Sequence, residues 1–261
     1  TGELALFLAL RWWYDGSMRA SRPFFAFLAA VTALSCGSDE GDKPAVTPPP
    51  SALGTSHIRD ILNPESPKRA KSDDVVTVTG ASVVAVDNFD ETRNGKSRGT
   101  IYIQDFGSKE PYSGISLFSP TFVPSDLKVA NGDVLDFHGS YQENGAIGTA
   151  VFPAGQLLVQ LAYPTGTFRF ESSPIEPVDI DVNDLKSYDT GKKWVGMLVR
   201  VKNLKLLNAP FTDKSNRVTI QITDGVPKDA ASMDNELMDL AAGDFKKDQV
   251  LQSVTGVVTY F

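Results

Sequence analysis

The sequence predicts an all-β chain: two small five-stranded closed sheets in tandem, behind an N-terminal export address and a flexible tether. Three observations carry this. From Val75 onward, short β-branched or aromatic runs alternate with Gly, Pro, Asn and Asp turn signals. A set of marks in this region occurs twice in the same order. Helical periodicity is weak throughout.

The first-half runs lie at 75–78, 82–86, 100–104, 115–118, 134–137 and 157–161, and the second-half runs at 197–207, 218–222 and 251–260. Pro120, Pro124, Pro153, Pro164, Pro174 and Pro177 punctuate the loops. The best helix candidate is 235–242, with a turn expected at 182–187.

The repeat reads as follows. A Gly opens a β-branched run at Gly80 and at Gly196. Thr-Ile-x-Ile-x-Asp follows, as Thr100 to Asp105 and as Thr219 to Asp224. An Asp ahead of an aliphatic pair comes next, at Asp133 and Asp248, and a strand Gly closes the series at Gly139 and Gly256. The intervals are 20, 28 and 6 residues in the first copy and 23, 24 and 8 in the second. A repeat of this length is a whole small sheet, not a solenoid unit. Leu157 to Leu161 can close the first sheet. No residues follow the last strand of the second copy, so another segment completes it or the sequence is a piece open at both ends.

Composition narrows the function. Net charge is −7. Taking Arg11, Arg19, Arg22, Glu3 and Asp15 away from 25 basic and 32 acidic residues leaves 22 and 30, a net −8 for the part after the leader. A generic nucleic-acid binder shows a basic excess. One cysteine rules out an internal disulfide, and His57 and His138 are too few for a His-rich metal site. No cofactor or metal is expected.

The N-terminus reads as an address. A basic stretch from Met18 to Arg22 precedes a 12-residue apolar run at 23–34, then Ala33-Leu34-Ser35-Cys36 and a polar segment. That is the order of a secretory signal, and the run is shorter than the roughly 20 residues a membrane-spanning helix needs. Met18 is the expected start, with residues 1–17 as upstream read-through. Cys36 at the end of the apolar run resembles the lipobox of bacterial lipoproteins. In that family the thiol is diacylglycerated, the leader is cut before the cysteine and the new amino group is acylated. Ser35 fits the small-residue position, whereas Ala33 and Leu34 depart from the usual Leu and small residue. The alternative is a plain signal peptide with an incidental cysteine. Residues 37–56, with Pro48-Pro49-Pro50, read as a tether. The expected organisation is 1–36 leader, 37–56 tether, 57–173 first module and 174–261 second module.

Residues 57–261 resemble the OB-fold-like modules of secreted bacterial lipoproteins and of proteins associated with extracellular nucleases. The matching text is Val76-Thr77-Val78-Thr79-Gly80, Gly99 to Asp105, Ser113-Gly114-Ile115, Asn131 to Leu135, Gly139-Ser140-Tyr141 and Trp194 to Val201. The resemblance implies five-stranded barrels that bind chains by aromatic stacking and loop contacts. Tyr102, Tyr112 and Tyr141, with Arg93, Lys96 and Arg98 of the first inter-strand loop, are the candidate ligand contacts. Phe118 and Phe137 belong to the same aromatic set. Tyr102 alternates with Ile101 and Ile103 and is expected to point outward. Core packing is the competing role for these aromatics, and solvated charge for the cations and for Lys192, Lys193, Arg200, Lys202 and Lys205.

Catalytic readings fail on context. Gly95-Lys96-Ser97-Arg98-Gly99 matches G-x-S-x-G, but a nucleophile elbow sits between a strand and a helix, and here a strand follows. The same run lacks the earlier Gly of a phosphate-binding loop. Asp87, Asp90, Glu91 and Asn94 do not have EF-hand spacing. Asp105 and Asp224 are expected to stabilise turns. The expected protein is a non-enzymatic envelope lipoprotein. Its partners would be a membrane, through the anchor, and an unknown protein or polymer met by loops 87–99 and 142–149. A single-stranded nucleic-acid-binding accessory of an extracellular nuclease system is the second expectation.

Overall fold

The computed structural model describes residues 4–7, 56–90, 93, 95, 99–121, 128–147, 150–212, 217–224, 231–238 and 242–260. Cys36 and the leader's basic and apolar runs lie outside these residues, as does the tether up to residue 55 and Lys96, Ser97 and Arg98 of the first loop. The chain is mostly β. Its elements begin with β1 (Leu4–Phe7), the short helix α1 (Ile58–Leu62), β2 (Val75–Val86), β3 (Ile101–Asp105), β4 (Gly114–Phe118) and β5 (Asp133–Asn144). A small hairpin of β6 (Ala146–Ile147) and β7 (Ala150–Val151) leads to β8 (Leu158–Glu171) and β9 (Val178–Ile180). A 3-10 turn at Val182–Lys186, helix α2 (Tyr188–Gly191) and a second turn at Lys192–Trp194 precede β10 (Leu198–Leu206), β11 (Phe211–Thr212), β12 (Val218–Thr223), β13 (Ala231–Asp234) and β14 (Val250–Tyr260).

Strands β2, β3, β4, β8 and β5 form a closed barrel in that order. Closure removes the free edges that an open sheet of this size would leave. The two runs expected at 75–78 and 82–86 are one strand, bent at Gly80, whose φ of 64° suits a residue without a Cβ. The ladder to β5 is irregular there, between Val78 and Ala81, and the Gly80 N–H donates to Asp136 Oδ1 at 2.9 Å. Strand β8 closes the barrel as expected of 157–161, but it runs on to Glu171, pairing parallel with β4 and antiparallel with β5. Ile58 and Ile61 of α1 enter a core with Val83, Ile103, Leu135 and Phe137. Burying each such side chain is worth about 1.5–3 kcal/mol.

The second sheet has seven strands in the order β11-β12-β13-β1-β14-β10-β9, with an added β10–β12 pairing. Five of them follow the pairing scheme of the first barrel, sense by sense. β10–β12, β12–β13 and β14–β10 are antiparallel, as β2–β3, β3–β4 and β5–β2 are. β1 lies parallel to β13 and antiparallel to β14, the position β8 holds against β4 and β5. The pre-module segments match as well: a parallel bridge joins Ser56 to Val78, and β9 runs parallel to β10. Leu4 to Phe7, expected upstream of the folded part, thus supplies the strand that the second copy lacks.

The helix expected at 235–242 is not formed at 235–238, which bend instead. Side chains there take the backbone bonds a helix would use. Asn235 Oδ1 accepts from Val218 N at 2.9 Å, and Asp234 Oδ1 accepts from Glu236 N at 3.0 Å.

Beyond the two cores, β2 and β3 are buried on their outer face as well. Val84, Ala85 and Tyr102 form a third cluster with Val257, flanked by Ile175, Leu198 and Leu237. This cluster joins the barrel to the second sheet. Beside it, Leu198 N donates to Gln104 Oε1 at 3.0 Å and Tyr112 N to Lys193 O at 2.7 Å. Gly114 and Gly196 meet backbone to backbone: a Cβ on Gly114 would overlap the Gly196 carbonyl carbon, and one on Gly196 would overlap Ile115 N. Gly196 also has φ +80°. Gly196→Ala is therefore expected to cost about 2–5 kcal/mol, from left-handed strain plus overpacking. Gly107→Ala, at φ +72° with open space around it, isolates the strain and should cost only about 1–2 kcal/mol. Urea unfolding of both variants measures the difference, and equal losses would refute the close-contact assignment.

Candidate functional site

The residues expected to touch a ligand do not gather on one open face. Tyr102 does point away from the barrel core, but its outer side is covered by Val257, leaving it 3% exposed. Tyr141 is 1% exposed inside the core. Its hydroxyl donates to Glu143 Oε1 at 2.9 Å, and burial with that carboxylate pushes the phenol above its ordinary range. Tyr112 is half-buried against the first core, with its N–H spent on Lys193. Arg93 is exposed in loop 87–100, in a turn closed by its N–H on Asp90 O at 3.1 Å. Stacking on Tyr102 or Tyr141 is thus closed off by packing.

Of the expected contact loop 142–149, residues 148 and 149 lie outside the described residues, and Gly145 and Ala146 are exposed. Ile147, with Phe152 and Leu158 beyond the loop, packs against the second core, where Phe152 meets the Tyr260 ring at 4.7 Å and Tyr188 meets it at 4.8 Å. Tyr188 OH donates to Leu157 O at 3.0 Å and accepts from Leu157 N at 2.9 Å.

One end of the barrel carries an exposed aromatic pair. The register Val86–Ile101–Leu117–Leu161 places loop 87–100, the end of β4 and the middle of β8 at the same rim. Phe118 and Tyr163 stand there, 46% and 60% exposed, with ring centroids 5.8 Å apart in an edge-to-face pair. Ser119 and Tyr163 both have positive φ, 47° and 48°, which costs roughly 1–2 kcal/mol for a residue with a Cβ. Thr121 N, donating to Pro164 O at 2.8 Å, ties the two turns together. Strain of this kind concentrates at ligand sites. Tyr163 is missed by the sequence because the strand expectation ends at Leu161. Its alternation with Thr165 and Thr167 was the available signal.

The basic stretch from Lys192 to Lys205 is paired with acids. Lys192 pairs with Asp189 at 3.4 Å and Lys193 with Asp184 at 3.5 Å. Arg200 and Lys202 share Asp179, at 2.5 and 2.6 Å, and Lys205 pairs with Asp248 at 2.7 Å. The hydrogen bonds from Arg200 and Lys202 hold the Asp179 carboxyl down at about 2. These five cations do not form a free basic strip. Beside α1, Arg69 pairs with Glu143 and Lys68 with Asp60 in the same way.

The two aspartates expected in turns do something larger. Asp105 caps α1 across 47 residues: Oδ1 accepts from Ile58 N at 2.7 Å and Oδ2 from Arg59 N at 2.9 Å. Asp224 holds the turn that precedes the second copy, accepting from Asn183 Nδ2 at 2.8 Å and pairing with Lys186 at 3.4 Å. Each copy thus ends its second strand on a carboxylate that fastens the helical segment ahead of it. Burial pushes Asp105 up to about 6, against the pull of the Arg59 and Ile58 N–H donors and of His57 at 3.9 Å. Asp90 Oδ2 accepts from Gly95 N at 2.6 Å, and His138 Nδ1 lies 2.9 Å from Thr77 Oγ1. Among the described residues no group of three His, Cys, Asp or Glu side chains converges.

Asp105→Ala, which removes both bonds to α1, is expected to cost about 1–3 kcal/mol in urea unfolding. An unfolded aspartate titrates near pH 3.9, whereas Asp105 in the fold titrates near 6. The folded chain therefore holds the extra proton between those values. Its contribution is full below about pH 4 and is lost as pH rises through about 6. Asp105→Asn lacks this titration. The stability of the native protein relative to that variant should fall over this window, by an amount on the order of 2–3 kcal/mol. A flat difference between the two pH profiles would refute the assignment.

Compared with protein-family models, with curated proteins and with solved structures, the chain gives no match.

Proposed function

We propose that this chain is a non-catalytic, lipid-anchored binding or scaffold protein of the cell envelope, built from two OB-like modules. The anchor is Cys36, whose acylation with at least two chains gives stable membrane attachment, and 37–56 is the tether. The recognition surface is the open rim of the first module. The observation that carries this reading is the exposed Phe118–Tyr163 pair beside loop 87–100, with positive φ at Tyr163 and at Ser119 next to Phe118.

OB modules engage ligands through the sheet face of their second and third strands and through the loops after strands one and four. Here that face is β3 and β4, closed by the second module through Tyr102, Gln104 and Gly114. Ile147, in the hairpin after the fourth strand, packs on the second core. Loop 87–100 lies next to the aromatic pair. A polymer or protein segment would stack on Phe118 and Tyr163 and meet the polar loop carrying Arg93, Lys96 and Arg98.

The alternative, an accessory single-stranded nucleic-acid-binding module, finds less support. It needs the covered sheet face and free cations, and the strip from Lys192 to Lys205 is paired with acids. Fluorescence anisotropy with a dT20 oligonucleotide at 20 mM and 200 mM salt separates the two. No binding tighter than about 10⁻⁴ M is expected at either, whereas affinity that falls steeply with salt would establish the alternative.

Two substitutions test the main reading. Cys36→Ser should move the protein from the membrane pellet to the soluble fraction, and unchanged partitioning would refute the anchor. Tyr163→Gly relieves the left-handed strain while removing the ring contact with Phe118, so stability should stay within about 1 kcal/mol of the native protein. Co-sedimentation with purified cell-wall glycan should fall at least tenfold in the same variant, and undiminished co-sedimentation refutes the rim as the recognition surface.

A further inference from the structure

The first barrel and the second sheet use one pairing scheme but fill its fifth position differently. In the barrel, β8 belongs to the module, follows β5 after the β6–β7 hairpin and makes eleven residue pairs with it. In the second sheet that position is taken by Leu4–Phe7, from more than 220 residues earlier in the chain than β13. It makes four pairs with β14, from Val257 to Tyr260, and three with β13.

The walls of the slot are core-forming. Met233 and Val258 are fully buried and Tyr260 is 1% exposed, all in the second hydrophobic cluster. Emptying the slot would strip the backbone of β13 and β14 of hydrogen-bond partners on that side. Unpaired strand edges of this kind take up another chain's strand, and strand addition supplies affinity through main-chain bonds and specificity through alternate side chains.

We propose that the slot between β13 and β14 is a strand-acceptor site for an extended segment of a partner polypeptide, with Leu4–Phe7 as its resident strand until the leader is removed. The release step rests on the lipoprotein reading and on translation that begins ahead of Leu4, not at the Met18 expected from the sequence, because cleavage ahead of Cys36 then separates Leu4–Phe7 from the sheet. The partner is an extended apolar peptide, running parallel to β13 and antiparallel to β14. The Leu4-Ala5-Leu6-Phe7 pattern, with Leu4 and Leu6 opposite Tyr260 and Val258 in register, is the template for it.

The test uses the full chain and a synthetic peptide of residues 2–9. Leu6→Pro withdraws an N–H and disfavours strand pairing, which vacates the slot without shortening the protein. The variant should melt at least 3 °C below the native chain. Added peptide should raise the variant's Tm and bind it at least tenfold more tightly than the native chain, where the resident strand competes. A peptide carrying the same proline should do neither. An unchanged Tm together with no peptide binding overturns the proposal, and self-association of the variant in place of peptide binding overturns the partner assignment.

If Leu6→Pro does not fold, a cross-link decides. Ala5→Cys with Thr259→Cys, in a Cys36→Ser background, places two thiols at directly paired positions, within disulfide reach. Mild oxidation should close that link within one chain, and its absence overturns the proposal. Mass analysis of the exported protein's N-terminus is scored separately. A retained leader refutes the release step alone, while peptide binding and the cross-link would still stand.

Discussion

The close approach of Gly114 to Gly196 is the constraint on which the described structure turns. Two backbones can touch only where neither carries a side chain, and here both are glycine. Their contact lets Gln104 reach the Leu198 N–H and brings Lys193 O to Tyr112 N. It also seats Val257 against Tyr102, Val84 and Ala85. The outer face of β2 and β3 thereby becomes interior. That is why β2 is buried on both sides from Val78 to Ala85, and why Tyr102 on β3 is buried although it points away from the barrel core.

Duplication runs deeper than the four marks in the sequence. Each copy places a helical segment ahead of its first strand and fastens it with the aspartate that ends Thr-Ile-x-Ile-x-Asp. Asp105 does so through two backbone N–H groups and Asp224 through Asn183 and Lys186. The chemistry differs because α1 presents free N–H groups at its start, whereas Asp181 already accepts from Asn183 N in the second copy. One motif position thus serves a common structural purpose through different donors. The cost of burying the Asp105 charge is written in its raised pKa.

Charge and exposure together direct attention to the barrel rim. Lys192, Lys193, Arg200, Lys202 and Lys205 are each matched by a carboxylate, so the acidic balance of the sequence extends to its basic-looking stretch. The rings of Phe118 and Tyr163 stand exposed instead, on turns where Ser119 and Tyr163 take backbone that ordinary residues avoid.

The sequence by itself determined the β character, the positions of the long strands and the two-copy order, because alternation and turn residues act over a few neighbours. It also placed Tyr102 correctly on the outside of its strand. Only tertiary structure decided that this outside is buried, since the covering residue, Val257, lies 155 positions away and no local pattern encodes it. The same holds for the strand between β13 and β14. Backbone pairing has no sequence signature of its own, so the need for a fifth strand could be read, but not that Leu4–Phe7 would meet it.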